Sequence, residues 1–236
     1  MKKFVSVFLA ALLLLPLLVS CGGEEEAVDT AMQETFDATQ YTLYVNVVMN
    51  KSDEYTGKEL TVTGNAGSIE DRSSGKTRYY VWGYADQTKC CDWQWEYVLA
   101  DGEKAPVNGS VITVKGTLTK SSDALDQFWF TSASVKTERK YAAPAYDFDL
   151  TAVSPTLARV QLAFMRRDAS LYNGSSVLIF GRTMDMTHLQ HPYYDGAWEL
   201  EVRNTMFYAV NLYMTVDGTF CAEADGSFYV DVKSTT

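Results

Sequence analysis

The same short patterns occur twice along the chain in the same order, and this duplication constrains the fold more than any other feature. Phe36-Asp37-x-Thr39 recurs as Phe148-Asp149-x-Thr151, and Tyr55-x-Gly57 with Gly64 recurs as Tyr172-x-Gly174 with Gly181 at a constant offset of 117. Further on, Thr113-Val114-Lys115-Gly116-Thr117-Leu118 recurs as Thr215-Val216-Asp217-Gly218-Thr219-Phe220 at an offset of 102. A chain that repeats one plan reads as two copies of one supersecondary unit. The drop in offset makes the second copy about 15 residues shorter, and the missing stretch lies where the first carries Cys90, Cys91, Trp93 and Trp95.

Within each copy the hydrophobic period is two, which is the period of strands. Leu60, Val62 and Gly64 alternate with Thr61 and Thr63; Trp93, Trp95, Tyr97 and Leu99 alternate with Gln94, Glu96 and Val98; Tyr208, Val210, Leu212, Met214 and Val216 alternate with Ala209, Asn211, Tyr213 and Thr215. Residues 77–84, 111–118, 128–135, 177–183, 198–203 and 228–233 are further strand candidates, rich in β-branched and aromatic side chains and separated by Gly, Asn, Asp and Ser. A helix precedes the first strand of each copy. In the second, Ser154 caps, Pro155 suits the first helical position, and Leu157, Val160 and Phe164 share a face; Leu43 and Val47 stand at the positions of Val160 and Phe164 in the first. The expectation is a mainly β protein of two tandem OB-like Greek-key β-barrels, each preceded by a short helix and the second abbreviated, spanning residues 35–140 and 141–236.

The N-terminus carries a different message. Lys2 and Lys3 are followed by an apolar run over residues 4–19, the pattern of a signal peptide. The run contains Pro16 and is shorter than the roughly 20 residues a helix needs to cross a bilayer. It ends in Leu18-Val19-Ser20-Cys21, which looks like a bacterial lipobox with Cys21 as the lipidated cysteine, bearing palmitate-type acyl chains. Residues 1–20 are expected to be removed, and residues 21–34, with Gly22, Gly23 and Glu24 to Glu26, to serve as an acidic tether. The expected location is extracytoplasmic and membrane-anchored, on the outer face of the cell membrane or on an outer membrane where one exists. Removing residues 1–20 of 236 takes away two lysines, so the mature chain carries 18 basic and 30 acidic residues, a formal charge of −12. Nucleic-acid binders show the opposite sign, so no nucleic-acid partner is expected.

The first copy resembles a group of bacterial OB-fold-like lipoproteins of unknown function. The likeness rests on Tyr55-Thr56-Gly57-Lys58, the strand from Leu60 to Gly64, Tyr79-Tyr80-Val81, Cys90-Cys91 with Glu96, and Gly109-Ser110-Val111-Ile112-Thr113-Val114-Lys115-Gly116. It implies a fold and a location and no activity. The chain departs from the pattern at Asp92-Trp93-Gln94-Trp95, where a glycine is expected.

Three clusters bear on chemistry. Lipidation of Cys21 leaves Cys90, Cys91 and Cys221, three thiols that cannot all pair within one chain. Adjacent Cys90 and Cys91 can pack, cycle as a redox pair, or ligate a soft metal, the last only if a turn brings both thiols to one side. Met184-x-Met186-x-His188-x-x-His191 holds both histidines of the chain, a thioether and imidazole set that suits copper, or zinc if Asp185 or Asp195 joins; as a continued strand it would point Met184, Met186 and His188 one way. The bland alternative is a strand edge running into a polar turn. Trp93, Trp95 and Tyr97 are candidates for an aromatic ligand face on the first barrel, with a glycan, a peptide or a membrane protein as partner, while Trp82 and Trp129 are expected in the core. No phosphate-cradling loop, zinc-protease helix or Gly-x-Ser-x-Gly elbow is present. The expected function is therefore a non-enzymatic binding or accessory module, with no resident cofactor; the alternatives are a metal-handling lipoprotein for copper or zinc and a thiol-redox protein.

Overall fold

A computed structural model of the chain describes residues 28–29, 31–121, 127–193 and 196–236. Residues 1–20, expected as a signal peptide, and Cys21 lie outside the described residues.

In the first copy, strand β1 (Val28–Asp29) precedes helix α1 (Ala38–Val45), a π-type turn at Asn46–Asn50 and the short helix α2 (Ser52–Tyr55). Asp37 starts α1 by accepting the backbone N–H of Thr39 at 2.8 Å and of Gln40 at 3.2 Å, two of the donors a helix start leaves unpaired. Strands β2 (Glu59–Asp71), β3 (Lys76–Tyr84), β4 (Asp92–Leu99), β5 (Val111–Lys120) and β6 (Phe128–Tyr141) follow. Their pairing runs β2–β3–β4–β6–β5 and returns to β2, with only β4–β6 parallel, which closes a five-stranded barrel. The alternate residues of β4 that face inward, together with Val62, Val81, Ile112, Val114, Leu118 and Phe130, form its core, and Val47 of the π-type turn seals one end.

The second copy has β7 (Phe148–Asp149), helices α3 (Pro155–Arg167) and α4 (Ala169–Tyr172), and strands β8 (Ser176–Thr183), β9 (His188–Gln190), β10 (Glu199–Arg203), β11 (Tyr213–Ala222) and β12 (Phe228–Thr235). Here the ring is β8–β9–β10–β12–β11 and back to β8, again with one parallel pair, β10–β12. The expected pair of barrels, the second abbreviated, is what the chain forms. Every strand of the second ring except β11 is shorter than its counterpart, β9 most in proportion, at three residues against nine in β3.

The repeated glycines carry the same duties in both copies. Gly57 and Gly174 each follow the short helix with positive φ, +81° and +83°, and each donates its N–H at 2.8 Å to the carbonyl of the matching residue on the fourth strand, Leu118 or Phe220. A Cβ on Gly64 would stand 2.8 Å from the Trp93 ring, and one on Gly181 would stand 3.1 Å from the Trp198 ring. Each glycine is thus the seat of an interior tryptophan.

Two expectations need correction. The strand expected to begin at Tyr208 begins at Tyr213, and residues 204–212 form a loop entered and left through positive φ at Asn204 and Asn211. Helix α3 buries Leu157, Ala158, Gln161, Leu162 and Met165, a face rotated from the expected stripe, with Val160 and Phe164 at its margin. The reason is that α3 is pressed between both barrels. Its second side meets Ile69, Tyr80, Trp82 and Tyr84 on the outside of the first barrel, which belong to the same apolar cluster as the core of the second.

A polar seam fastens this contact. The Gln161 side chain accepts the Glu70 N–H at 2.7 Å and donates to the Glu70 carbonyl at 3.0 Å, so a buried amide completes the hydrogen bonding of an edge residue. Tyr172 Oη donates to the same carbonyl at 2.9 Å and accepts from the Arg72 N–H at 2.9 Å. Arg72 donates to the Leu171 carbonyl and to Ser175 Oγ, both at 3.0 Å, and Arg167 pairs with Asp71 at 2.8 Å.

Candidate functional site

The Met/His cluster is not brought together. Strand β8 ends at Thr183, and residues 184–187 form a turn in which Asp185 accepts the Thr187 N–H at 2.7 Å. The three side chains therefore do not continue one strand face. Met186 is exposed, while His188 Nδ1 lies 3.0 Å from each carboxylate oxygen of Asp185. His191 is buried and has both ring nitrogens engaged: Nδ1 accepts the Tyr193 N–H at 3.2 Å, and the other nitrogen bonds the Pro155 carbonyl at the start of α3. These partners set the tautomer, and burial holds the ring below the usual histidine range, in its neutral form. His191, the residue that follows β9, is a strut from there to the start of α3. Among the described residues no group of three His, Cys, Asp or Glu side chains converges, and Asp195 lies outside them.

The cysteine pair differs. Cys90 and Cys91 sit in the turn between β3 and β4, where Lys89 takes a left-handed φ of +56° and Asp86 accepts the Thr88 N–H at 2.8 Å. The turn removes the opposition of neighbouring strand side chains, and the two sulfurs stand 3.3 Å apart as thiols in contact. The hydrogen bond to Cys90 is the largest cause of the upward shift in the Cys91 thiol pKa. Cys221 lies on β11 of the other barrel, its sulfur 3.6 Å from the Thr219 carbonyl oxygen.

The aromatic face expected at Trp93, Trp95 and Tyr97 is corrected outright, because all three are in the barrel interior with at most 2% exposure. The alternation along β4 holds, but the side expected to face solvent is the side that fills the barrel. Trp82 is buried as expected, outside the barrel wall against α3, and Trp129 is half-buried. The outward residues of β4 explain the departure at Asp92-Trp93-Gln94-Trp95: Gln94 Oε1 lies 3.1 Å from the capping Ser154 Oγ, which donates to it, and Asp92 accepts from Thr156 Oγ1 at 3.1 Å. This pair of polar residues docks the start of α3.

Part of the interface stays open as a cleft of about 300 Å³ between the barrels. Trp82, Tyr84 and Lys89 come from the first barrel; Leu150, Val153 and Pro155 from the segment leading into α3; Phe180, Tyr193, Trp198 and Thr215 from the second. Met32 and Glu34 close one side. Lys89 Nζ donates to Glu34 Oε1 at 2.7 Å and sits 5.7 Å from the centre of the Tyr84 ring. Burial, with Glu34 nearby, pushes the Tyr193 phenol up to about 12, so it stays a neutral hydrogen-bonding group. The site draws on residues from 32 to 215, and no local spacing announces it. Compared with protein-family models and with curated proteins, the chain matches neither.

Proposed function

We propose that the chain is an exported lipoprotein, anchored through Cys21 on the extracytoplasmic side of a membrane, whose two barrels act as one non-enzymatic binding module with the inter-barrel cleft as its ligand seat. The observation that carries this reading is the cleft itself: it has the volume of a small-ligand site, aromatic walls, and one ion pair, Glu34–Lys89, at its side. OB-type barrels use the outer face of their second and third strands for ligands. On the first barrel that face carries Tyr80, Trp82 and Tyr84, which pack with α3 in one apolar cluster, and Trp82 and Tyr84 also line the open cleft. Flat apolar walls with few polar groups favour a sugar ring or an aromatic side chain of a peptide. The likeness to OB-fold-like lipoproteins supports the location and leaves the ligand open.

The test is a titration of the mature protein with methyl glycosides, disaccharides and aromatic dipeptides, followed by ligand-observed NMR, beside Lys89→Ala and Tyr193→Ala. Binding by one class that both variants weaken supports the reading. No binding of any probe at millimolar concentration rejects the cleft as a small-ligand seat.

A second reading has its own observation, the contact of Cys90 and Cys91 on one side of a turn. Two thiolates so placed would take one soft cation such as Cu(I) or Zn(II), with release of their protons. Titration of the reduced protein with each ion, beside Cys90→Ser/Cys91→Ser, decides it: affinity no tighter than micromolar, or unchanged in the variant, removes it.

A further inference from the structure

Half of the large hydrophobic side chains that stand exposed among the described residues belong to one region of the second barrel. Tyr208 is 99% exposed, and Met186, Met206, Val210, Leu212 and Tyr213 are 46–59% exposed; these are six of the twelve large hydrophobic residues that stand exposed. They form one surface, because the loop of residues 204–212 is bonded to the turn at 184–187 and to the end of β8. The Phe207 N–H donates to the Met186 carbonyl at 2.9 Å, Thr183 Oγ1 donates to the Ala209 carbonyl at 2.8 Å, and the Asn211 N–H donates to the Thr183 carbonyl at 2.8 Å. Phe207 is buried in the core and pins the loop, so its neighbours on either side point outward by construction. Residues 204–216 contain no charge, in a chain of which 21% is charged. Apolar patches of this kind on a water-soluble surface mark contact with another phase or another molecule.

We propose that this loop surface rests on the bilayer that holds the Cys21 anchor, a proposal that depends on the lipid-anchoring reading above. Its position argues for that occupant. Cys21 stands seven residues before Val28, and an extended chain covers at most about 3.6 Å per residue, so the cysteine that carries the anchor lies within roughly 25 Å of Val28. Val28–Asp29 pairs with Lys140 and Tyr141, and Met32 then enters the cleft lined by Phe180, Tyr193 and Thr215. Tyr213, at the edge of the patch, packs its ring 6.1 Å from Phe180 and 6.5 Å from Tyr193. The segment that follows the tether thus enters the cleft whose far wall, Phe180 and Tyr193, packs against Tyr213 of the patch. Charge argues the same way, since a mature chain of net −12, after loss of Lys2 and Lys3, is repelled by anionic headgroups and makes contact only through an uncharged surface rich in residues that partition to the interface, tyrosine among them.

The experiment uses the full-length precursor, produced so that it is exported and processed, with lipid on Cys21 verified by intact mass. Tyr208→Trp reports the loop, with the parent chain subtracted for the native tryptophans, after reconstitution into phosphatidylcholine vesicles with or without brominated acyl chains. The expected result is a blue-shifted Trp emission that loses most of its intensity to brominated lipid. Adding Val210→Asp/Leu212→Asp should restore the emission while the protein stays on the vesicles through its anchor. A lipidated, vesicle-bound protein whose reporter ignores brominated lipid overturns the inference and leaves the anchoring intact. An intact mass without lipid overturns the anchoring reading and this inference with it. A blue shift that grows with protein concentration in lipid-free detergent assigns the patch to a second copy of the chain and also overturns it.

Discussion

Asp92, the first residue of β4, accepts hydrogen bonds from Thr156 Oγ1 at 3.1 Å and the Thr156 backbone N–H at 3.4 Å, placing a carboxylate of the first barrel at the N-terminus of the helix that leads into the second. A negative charge there is favoured by the helix dipole and by donors the helix leaves unpaired. Asp92→Ala should lower stability by about 1 kcal/mol, and Asp92→Asn should recover part of that, because it keeps an acceptor and loses the charge. Thermal unfolding of the three chains checks the order.

Gln161 makes the more demanding contact, since its amide satisfies both backbone groups of Glu70 from a buried position. Gln161→Leu keeps the bulk of the side chain and takes away the acceptor of the Glu70 N–H, while the Glu70 carbonyl keeps the Tyr172 hydroxyl. The expected cost is about 1–3 kcal/mol. Amide hydrogen exchange should show the added openings at β2 and α3, with the interior of the first barrel little changed.

The repeated glycines are predicted to differ in tolerance. A Cβ on Gly64 would meet the Trp82 carbonyl at 2.5 Å and the Trp93 ring at 2.8 Å, whereas one on Gly181 would meet the Gln190 carbonyl at 3.0 Å and the Trp198 ring at 3.1 Å. Overpacking of a filled core costs about 1–3 kcal/mol. Gly64→Ala should fall at the upper end and Gly181→Ala near or below the lower, read from the midpoints of urea unfolding.

His191 is held below the usual histidine range by burial. Since its folded pKa lies under the unfolded value of about 6.5, the unfolded chain takes up the proton first; the contribution is whole above that value and is lost as pH falls through it toward the folded pKa. The melting temperature should therefore drop more between pH 7.5 and 5.5 for the native chain than for His191→Gln. NMR of the His191 ring should report the neutral form below pH 6.5. A ring that protonates with an ordinary midpoint would contradict the engaged geometry.

Alkylation should separate the thiols. Cys90 is exposed, and Cys91 is partly covered with its pKa raised, chiefly by the bond to Cys90. At neutral pH iodoacetamide should modify Cys90 first, and Cys90→Ser should change the rate at Cys91. Mass mapping over time would show the Cys91 rate unchanged in Cys90→Ser if the contact between the two sulfurs had no part in it.

The duplication, the turn glycines and the period of two are properties of the chain by itself, and they were enough for two closed barrels with a shortened second copy. Gly57 and Gly174 could be matched because a left-handed turn admits little else, and β4 could be drawn because Trp93, Trp95 and Tyr97 alternate with polar residues. What alternation leaves open is which face meets water. On β3 both faces are buried, Val81 toward the barrel core and Tyr80 and Trp82 toward α3, so no contrast in polarity marks a ligand face. The same limit explains residues 208–212, whose alternating pattern mimics a strand although a bend at Asn211 and the pinned Phe207 make them a loop. His191 could not be told from a ligand by spacing, because its partners, Tyr193 and Pro155, belong to different elements. Local pattern decided what each segment can form. The packing of α3 between the barrels decided which surfaces were left to act, since burial is set by neighbours distant in sequence and not by the residues themselves.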